Sequence, residues 1–306
     1  MEQHEISPIL SERLTSVYGD SGRDWIAGFP ALLNRIRSEW DLAGIGATFP
    51  YVGYAWVAPV TLANGGKAVL KLAPPDKEFA SEIGALGIYA GRGAAKLLAS
   101  DPAATALLLE RLEPGTTLAE LNDDVLATEI AGQSFTKLFR PLPAGHSFPT
   151  IERWGQAFAR VRAANDGGSG RFPPELFDPA ERIYFELGAG QDEPMLLHGD
   201  LHHWNILRAE REPWLAIDPK GLAGEPAYEV GALLRNRLDA GEDVLQLTLR
   251  RIAQLSEILG VDRERLKRWA FAQGVLSALW TFEDHGELGE KHLVLPRALL
   301  PAIAGA

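Results

Sequence analysis

The stretch "LLHGDLHHWNIL", Leu196 to Leu207, sets three histidines, an aspartate and an asparagine between two short apolar runs. Zinc binding is one chemistry to weigh, because His198 and His202 are four apart and His203 adds a third imidazole. Gly199 interrupts that spacing, and the flanking runs are strand-like, so the helix such a site needs is disfavoured. No H-E-x-x-H supplies a glutamate base either. A second reading is a polar turn on a buried sheet, with Asp200 and Asn205 as turn residues.

Phosphoryl transfer is the third reading, and it needs parts from elsewhere in the chain. An aspartate must take the proton of the attacking hydroxyl, an amide oxygen and a second carboxylate must hold metal ions, and a lysine must hold the α/β-phosphates. Asp200 and Asn205 have the D-x-x-x-x-N spacing of a kinase catalytic loop. One strand-sized stretch later, "PWLAIDPKG" places Asp218 at the end of an apolar run. Upstream, Lys71 sits within "AVLKL", and Glu82 or Glu78 on the next helical stretch is in reach of it. The four parts occur in kinase order. A catalytically silent nucleotide-binding module is expected to lack at least one of them.

The elements that must position these residues follow from hydrophobic patterning. "YVGYAWVAPVTL" and "KAVLKL" flank an Asn-Gly-Gly turn and predict a β-hairpin. Phe79, Ile83, Leu86 and Ala90 keep helical spacing behind Pro74, Pro75 and Asp76. "AAKLLAS" and "TALLLERL" predict two more strands, and "LEPGTTL" a Pro/Gly break. Beyond it, Ile151, Trp154, Phe158 and Val161 form one helical stripe. Leu266, Trp269, Gln273, Leu276 and Trp280 form another, capped by Asp262. The expected organisation is a β-rich N-lobe over residues 1–112 with a helical N-terminal extension. A hinge follows near Arg111–Gly115, then a larger helical C-lobe over 113–306.

The composition bounds the partners. With 306 residues, 46% hydrophobic and 23% charged, the chain has the make-up of a globular protein with a sizeable core. Its net charge of −11 disfavours a nucleic-acid partner and suits solubility or a cationic ligand. Cysteine is absent, which removes disulfide and thiolate chemistry. No apolar run reaches a membrane span, and "MEQHEISPIL" has no signal-peptide character, so a cytoplasmic location is expected. Monomer and homodimer both remain open.

Taken together, "HGDLHHWNIL", "IDPKGLAGEPAYEVGALLRN", "AVLKL" and "LLLERLEPG" resemble the aminoglycoside phosphotransferase superfamily, above all its branch of streptomycin 6-kinases and hydroxyurea kinases. The resemblance covers roughly residues 40 to 285. It implies an α+β, protein-kinase-like two-lobed fold, with a small antiparallel sheet and one helix in the N-lobe and a mainly helical C-lobe. It also implies ATP (some relatives accept GTP), Mg²⁺, and transfer of the γ-phosphoryl group to a hydroxyl of a small, cationic acceptor. By position, Asp200 would be the catalytic base, and Asn205 and Asp218 the metal ligands. Lys71 would contact the phosphates and pair with Glu82, which precedes a family-like "GALGIYAGRGAAKLL". Leu109, Glu110, Arg111 and Leu112 would form the hinge that meets the adenine, and His198 would brace the aspartate loop. Acceptor contacts are expected from Glu283 or Asp284 at the end of the last long stripe. His202 and His203 read as loop or packing residues, and Trp204 as a core residue.

Two departures from the kinase pattern stand out. No G-x-G-x-x-G precedes Lys71, since "FPYVGYAWV" holds only Gly53, and Pro219-Lys220 replaces Phe-Gly after Asp218.

Overall fold

A computed structural model describes residues 5–50, 53–191, 193–238 and 243–304. The chain divides into two compact units, residues 1–113 and 114–306.

In the first unit, helix α1 (Pro8–Glu39) is capped by the Ser7 hydroxyl and kinks at Gly19, whose φ of 57° breaks the helical run. Five strands follow as one antiparallel sheet in the order β1-β2-β3-β5-β4. They are β1 (Leu42–Ile45), β2 (Trp56–Leu62), β3 (Lys67–Leu72), β4 (Leu97–Asp101) and β5 (Ala106–Glu110). Helix α2 (Lys77–Tyr89) lies between β3 and β4, capped by Asp76. On one face of the sheet, Trp56, Ala58, Val60, Ala68, Leu70 and Leu72 pack against Leu14, Phe29, Leu33 and Ile36 of α1. On the other, Leu107 packs with Phe79 and Leu86 of α2. Because successive side chains alternate faces, Lys71 points away from the α1 side, in register with Leu107.

The second unit holds two small sheets and most of the helices. One sheet runs β10-β9-β6, from β6 (Pro114–Thr117), β9 (Ile206–Ala209) and β10 (Trp214–Ala216). The other runs β11-β8-β7, from β7 (Arg140–Pro141), β8 (Met195–Leu197) and β11 (Leu222–Gly224). The expected Pro/Gly break at "LEPGTTL" is thus partly a strand. Pro114 and Thr117 pair with β9 at a sheet edge, with an irregular register between them where Gly115 takes a φ of 76°.

The helices are α3 (Asp124–Leu138), α4 (Ile151–Ala164), α5 (Pro174–Ala189), α6 (Val230–Leu234), α7 (Val244–Leu259), α8 (Arg263–His285) and α9 (Val294–Ala304). Helix α8 is buried along most of its length from Leu266 to Leu279 and contacts α4, α5, α6, α7 and α9. Among the described residues no helix is long and apolar enough to cross a membrane.

Candidate functional site

The connections between the two small sheets explain why one stretch of this sequence is so polar. Residues 198–205 leave β8 in one sheet and enter β9 in the other. Residues 217–221 leave β10, paired to β9, and return to β11, paired to β8. Two loops that join the same two sheets must run side by side. Their backbones are in fact tied together: Ile217 N–H donates to Asn205 O at 3.0 Å, and Lys220 N–H donates to His198 O at 2.8 Å. The topology therefore sets the Asp218 loop beside Asp200 and Asn205, 13 residues after the asparagine in sequence.

Both loops use backbone conformations that regular elements do not. Gly199 has φ 85°, and a Cβ there would sit 3.2 Å from Leu222 Cβ, Lys220 Cβ and the Trp154 ring, so any other residue would be both crowded and strained. Asp218 itself has φ 58°, a left-handed conformation that Asp tolerates better than most residues. Gly221, which ends the same loop, takes a φ of 63°.

Two buried polar side chains, His198 and Glu229, hold the loop that carries Asp200. His198 is fully buried, and its Nε2–H donates to Ile217 O at 2.8 Å while Nδ1 accepts from Asp200 N–H at 3.3 Å. Burial drops its pKa to about 4, so the ring is neutral and this one tautomer satisfies both bonds. Glu229, just before α6, accepts from Gly199 N–H at 3.0 Å. Burial pushes its pKa up to about 7, opposed by N–H donors of Gly199, His198 and Leu201. The sequence reading missed Glu229, although it lies in the motif "AYEVG" that carried the resemblance. Nothing in its local pattern separates it from an ordinary helix-start glutamate. Arg235 was missed as well: its Nη2 reaches Asp200 Oδ1 at 3.0 Å.

The donor atoms suit a hard divalent cation. The Asn205 side-chain amide donates from Nδ2 to Asp200 O at 3.0 Å, so that bond does not use its Oδ1. Asn205 Oδ1 and the Asp218 carboxylate are oxygens of the kind Mg²⁺ takes, and these two residues could hold it. Among the described residues no three His, Cys, Asp or Glu side chains converge as a metal cluster. His203 is buried, its pKa lowered by burial to about 3. Trp204 corrects an expectation: it is 47% exposed instead of packing in the core. In the tight turn His203–Asn205 the inward positions go to His203 and Asn205, and the indole only edges against the His202 and His203 rings.

In the first unit, Lys71 Nζ meets both carboxylate oxygens of Glu82 at 2.8 Å. The pair is largely withdrawn from water, with side-chain exposures of 14% and 8%. Glu78 lies in the first turn of α2 and is exposed. Of the expected hinge residues, Glu110 ends β5 and accepts from Lys96 N–H at 3.0 Å, Arg111 lies 3.7 Å from Glu113, and Leu112 is buried. Tyr51 and Val52, within the "FPYVGYAWV" stretch that lacks a G-x-G-x-x-G, lie outside the described residues. At the end of α8, Glu283 is gripped by Arg160 of α4 through two bonds of 2.8 Å, and Asp284 is exposed.

A lysine–glutamate pair on a five-stranded sheet and α2, followed by two polar loops in a mainly helical unit, is the arrangement of a protein-kinase-like phosphotransferase. Comparison with known proteins agrees. The family model described as "Aminoglycoside/hydroxyurea antibiotic resistance kinase" matches residues 51–286, and the chain belongs to that family. Streptomycin 6-kinase of Streptomyces glaucescens is 35% identical over 291 residues, covering 92% of each chain. Hydroxyurea phosphotransferase of Kitasatospora aureofaciens is 36% identical over 308 residues, covering 97% of this chain and 86% of that one. Among solved structures, aminoglycoside phosphotransferase APH(3'')-Id of Streptomyces rimosus, in complex with ADP and streptomycin, superposes with a TM-score of 0.56. It is 17% identical and spans 80% of this chain and 97% of its own. The protein is accordingly a kinase that phosphorylates a small molecule.

Proposed function

We propose that the protein moves the γ-phosphoryl group of ATP, with Mg²⁺, to a hydroxyl of a small cationic acceptor of the streptomycin type. The observation that carries this reading is the cross-linked pair of loops that sets Asp200, Asn205 and Asp218 side by side. Asp200 would orient the acceptor hydroxyl and take its proton as the oxygen attacks phosphorus. Asn205 Oδ1 and the Asp218 carboxylate would hold Mg²⁺, which when bound neutralises charge on the phosphate oxygens. Lys71, kept extended by Glu82, would lie against the α/β-phosphates. Glu110, Arg111 and Leu112 would supply the backbone that meets the adenine. For an acceptor cation to use Glu283, it would have to displace Arg160. Asp284 is the exposed alternative.

Hydroxyurea is the second acceptor to test, because its phosphotransferase is as similar to this chain as the streptomycin enzymes are. A panel of aminoglycosides, hydroxyurea, sugars and amino alcohols, read by acceptor-stimulated ADP release and product mass, tests the proposal. Streptomycin-dependent ADP release with a phosphorylated product supports it. Release with hydroxyurea alone corrects the acceptor, and ATP binding without transfer to any compound overturns the reading.

A further inference from the structure

Asp200 is approached on both carboxylate oxygens by side chains that the reaction above does not use. Arg235 donates from Nη2 to Oδ1 at 3.0 Å, and His202 Nε2 stands 3.7 Å from Oδ2. The arginine is 20% exposed and the aspartate 26%, so the ion pair is mostly shielded from solvent. A free aspartate carboxylate rotates broadly about its last torsion, and its two oxygens are equivalent. A short charge-assisted bond to one oxygen removes that equivalence.

Arg235 is itself firmly placed. It closes α6, whose five residues are all buried. The residue that opens α6 is preceded by Glu229, which holds the loop backbone at Gly199. Beyond Arg235, the fully buried Arg251 donates to Asn236 O at 2.8 Å and Arg237 O at 3.1 Å while paired with Asp124. One short helix therefore indexes both the backbone of the Asp200 loop, at its start, and the Asp200 side chain, at its end.

We infer that Arg235 is a positioning residue for the transfer: it holds Asp200 Oδ1, so that Oδ2 is the oxygen that faces the acceptor hydroxyl and receives its proton. As that O–H bond breaks, the acceptor oxygen bonds to the γ-phosphorus, the bond from γ-phosphorus to the bridging oxygen breaks, and ADP leaves with the electron pair. The guanidinium also keeps the acceptor's own cationic groups away from the Oδ1 side. The inference rests on the proposed role of Asp200 as base.

The test is a mutant cycle on the full chain, with streptomycin and with water as acceptors of the γ-phosphoryl group. Variants are Arg235→Met, Arg235→Lys, Asp200→Ala and the double variant Asp200→Ala/Arg235→Met. Arg235→Met should lower kcat about 10²-fold with the KM for ATP unchanged, since only the geometry of the base is lost. Arg235→Lys should recover part of that loss, because an ammonium reaches Oδ1 without the planar fork. In the Asp200→Ala background Arg235→Met should cost nothing more. Near-wild-type kcat in Arg235→Met, or an equal loss in both backgrounds, overturns the inference while leaving Asp200 as base. Should Arg235→Met unfold, Arg235→Lys carries the same cycle. Equal rates for wild type and Asp200→Ala with both acceptors would instead overturn the role of Asp200 itself.

Discussion

The lysine of the first unit and the aspartate of the second are held by opposite means. Lys71 sits mid-strand in β3, with ladder partners Val57 on β2 and Leu107 on β5, and its side chain pairs with Glu82 of the next helix. Regular hydrogen bonding fixes its backbone, and alternation fixes its face. Asp200 lies in a loop with no ladder, where His198 and Glu229 accept the loop N–H groups that a strand would have paired, while Arg235 bonds the Asp200 carboxylate. In the first region function is laid on a scaffold that stands without it. In the second, the polar groups around Asp200 both place it and hold its loop, so its placement and the loop's stability are coupled.

The largest effect expected is in the second region. Asp200→Ala should lower kcat on the order of 10³- to 10⁴-fold while ATP binding, followed by fluorescence or calorimetry, survives. A rate within tenfold of wild type would remove Asp200 from the chemistry. Lys71→Met should lower kcat/KM about 10²- to 10³-fold, as removal of one electrostatic stabiliser does. Urea unfolding of the double variant Lys71→Met/Glu82→Leu, which leaves no buried carboxylate unpaired, should stay within about 1 kcal/mol of wild type, because the sheet does not depend on the pair. A double variant that unfolds easily would erase the contrast between the regions.

Glu229→Ala breaks the other side of the comparison. It leaves buried loop N–H groups without an acceptor, so stability should fall by about 3 kcal/mol and activity should fall with it. Loss of activity at full stability would show that the loop stands without its buried carboxylate. The smallest effect is a pH dependence. His198 and His203 titrate near 4 and 3 in the fold, below their ordinary 6.5. The unfolded chain therefore binds protons first, and the stability these rings contribute is complete above pH 6.5 and lost as pH falls toward 4 and 3. The slope should be on the order of 1 kcal/mol per pH unit for each ring, measurable by thermal unfolding between pH 7 and 5. His203→Leu should flatten it by its share.

Much of the first region was legible in the sequence because it obeys short periods. The Asn-Gly-Gly hairpin, the Asp76 cap and the spacing of Phe79, Ile83 and Leu86 place Lys71 and Glu82 with no long-range information. Trp204 was misread because apolar character predicts burial only where an element has an inward face, and a three-residue turn has room for few side chains inside. Glu229 and Arg235 were invisible because their partners lie 30 and 35 residues away, and a lone glutamate or arginine beside a helix is ordinarily a solvated one.

The sequence by itself determined the kind of reaction, through residue types in an order that few other chemistries need: a strand lysine, a helix glutamate, D-x-x-x-x-N, and an aspartate after an apolar run. Only the tertiary structure decided how Asp200 is held. That depends on which sheets the two loops join and on which side chains of a distant short helix reach them. Such contacts arise from chain topology and burial, and neither leaves a local period to be read.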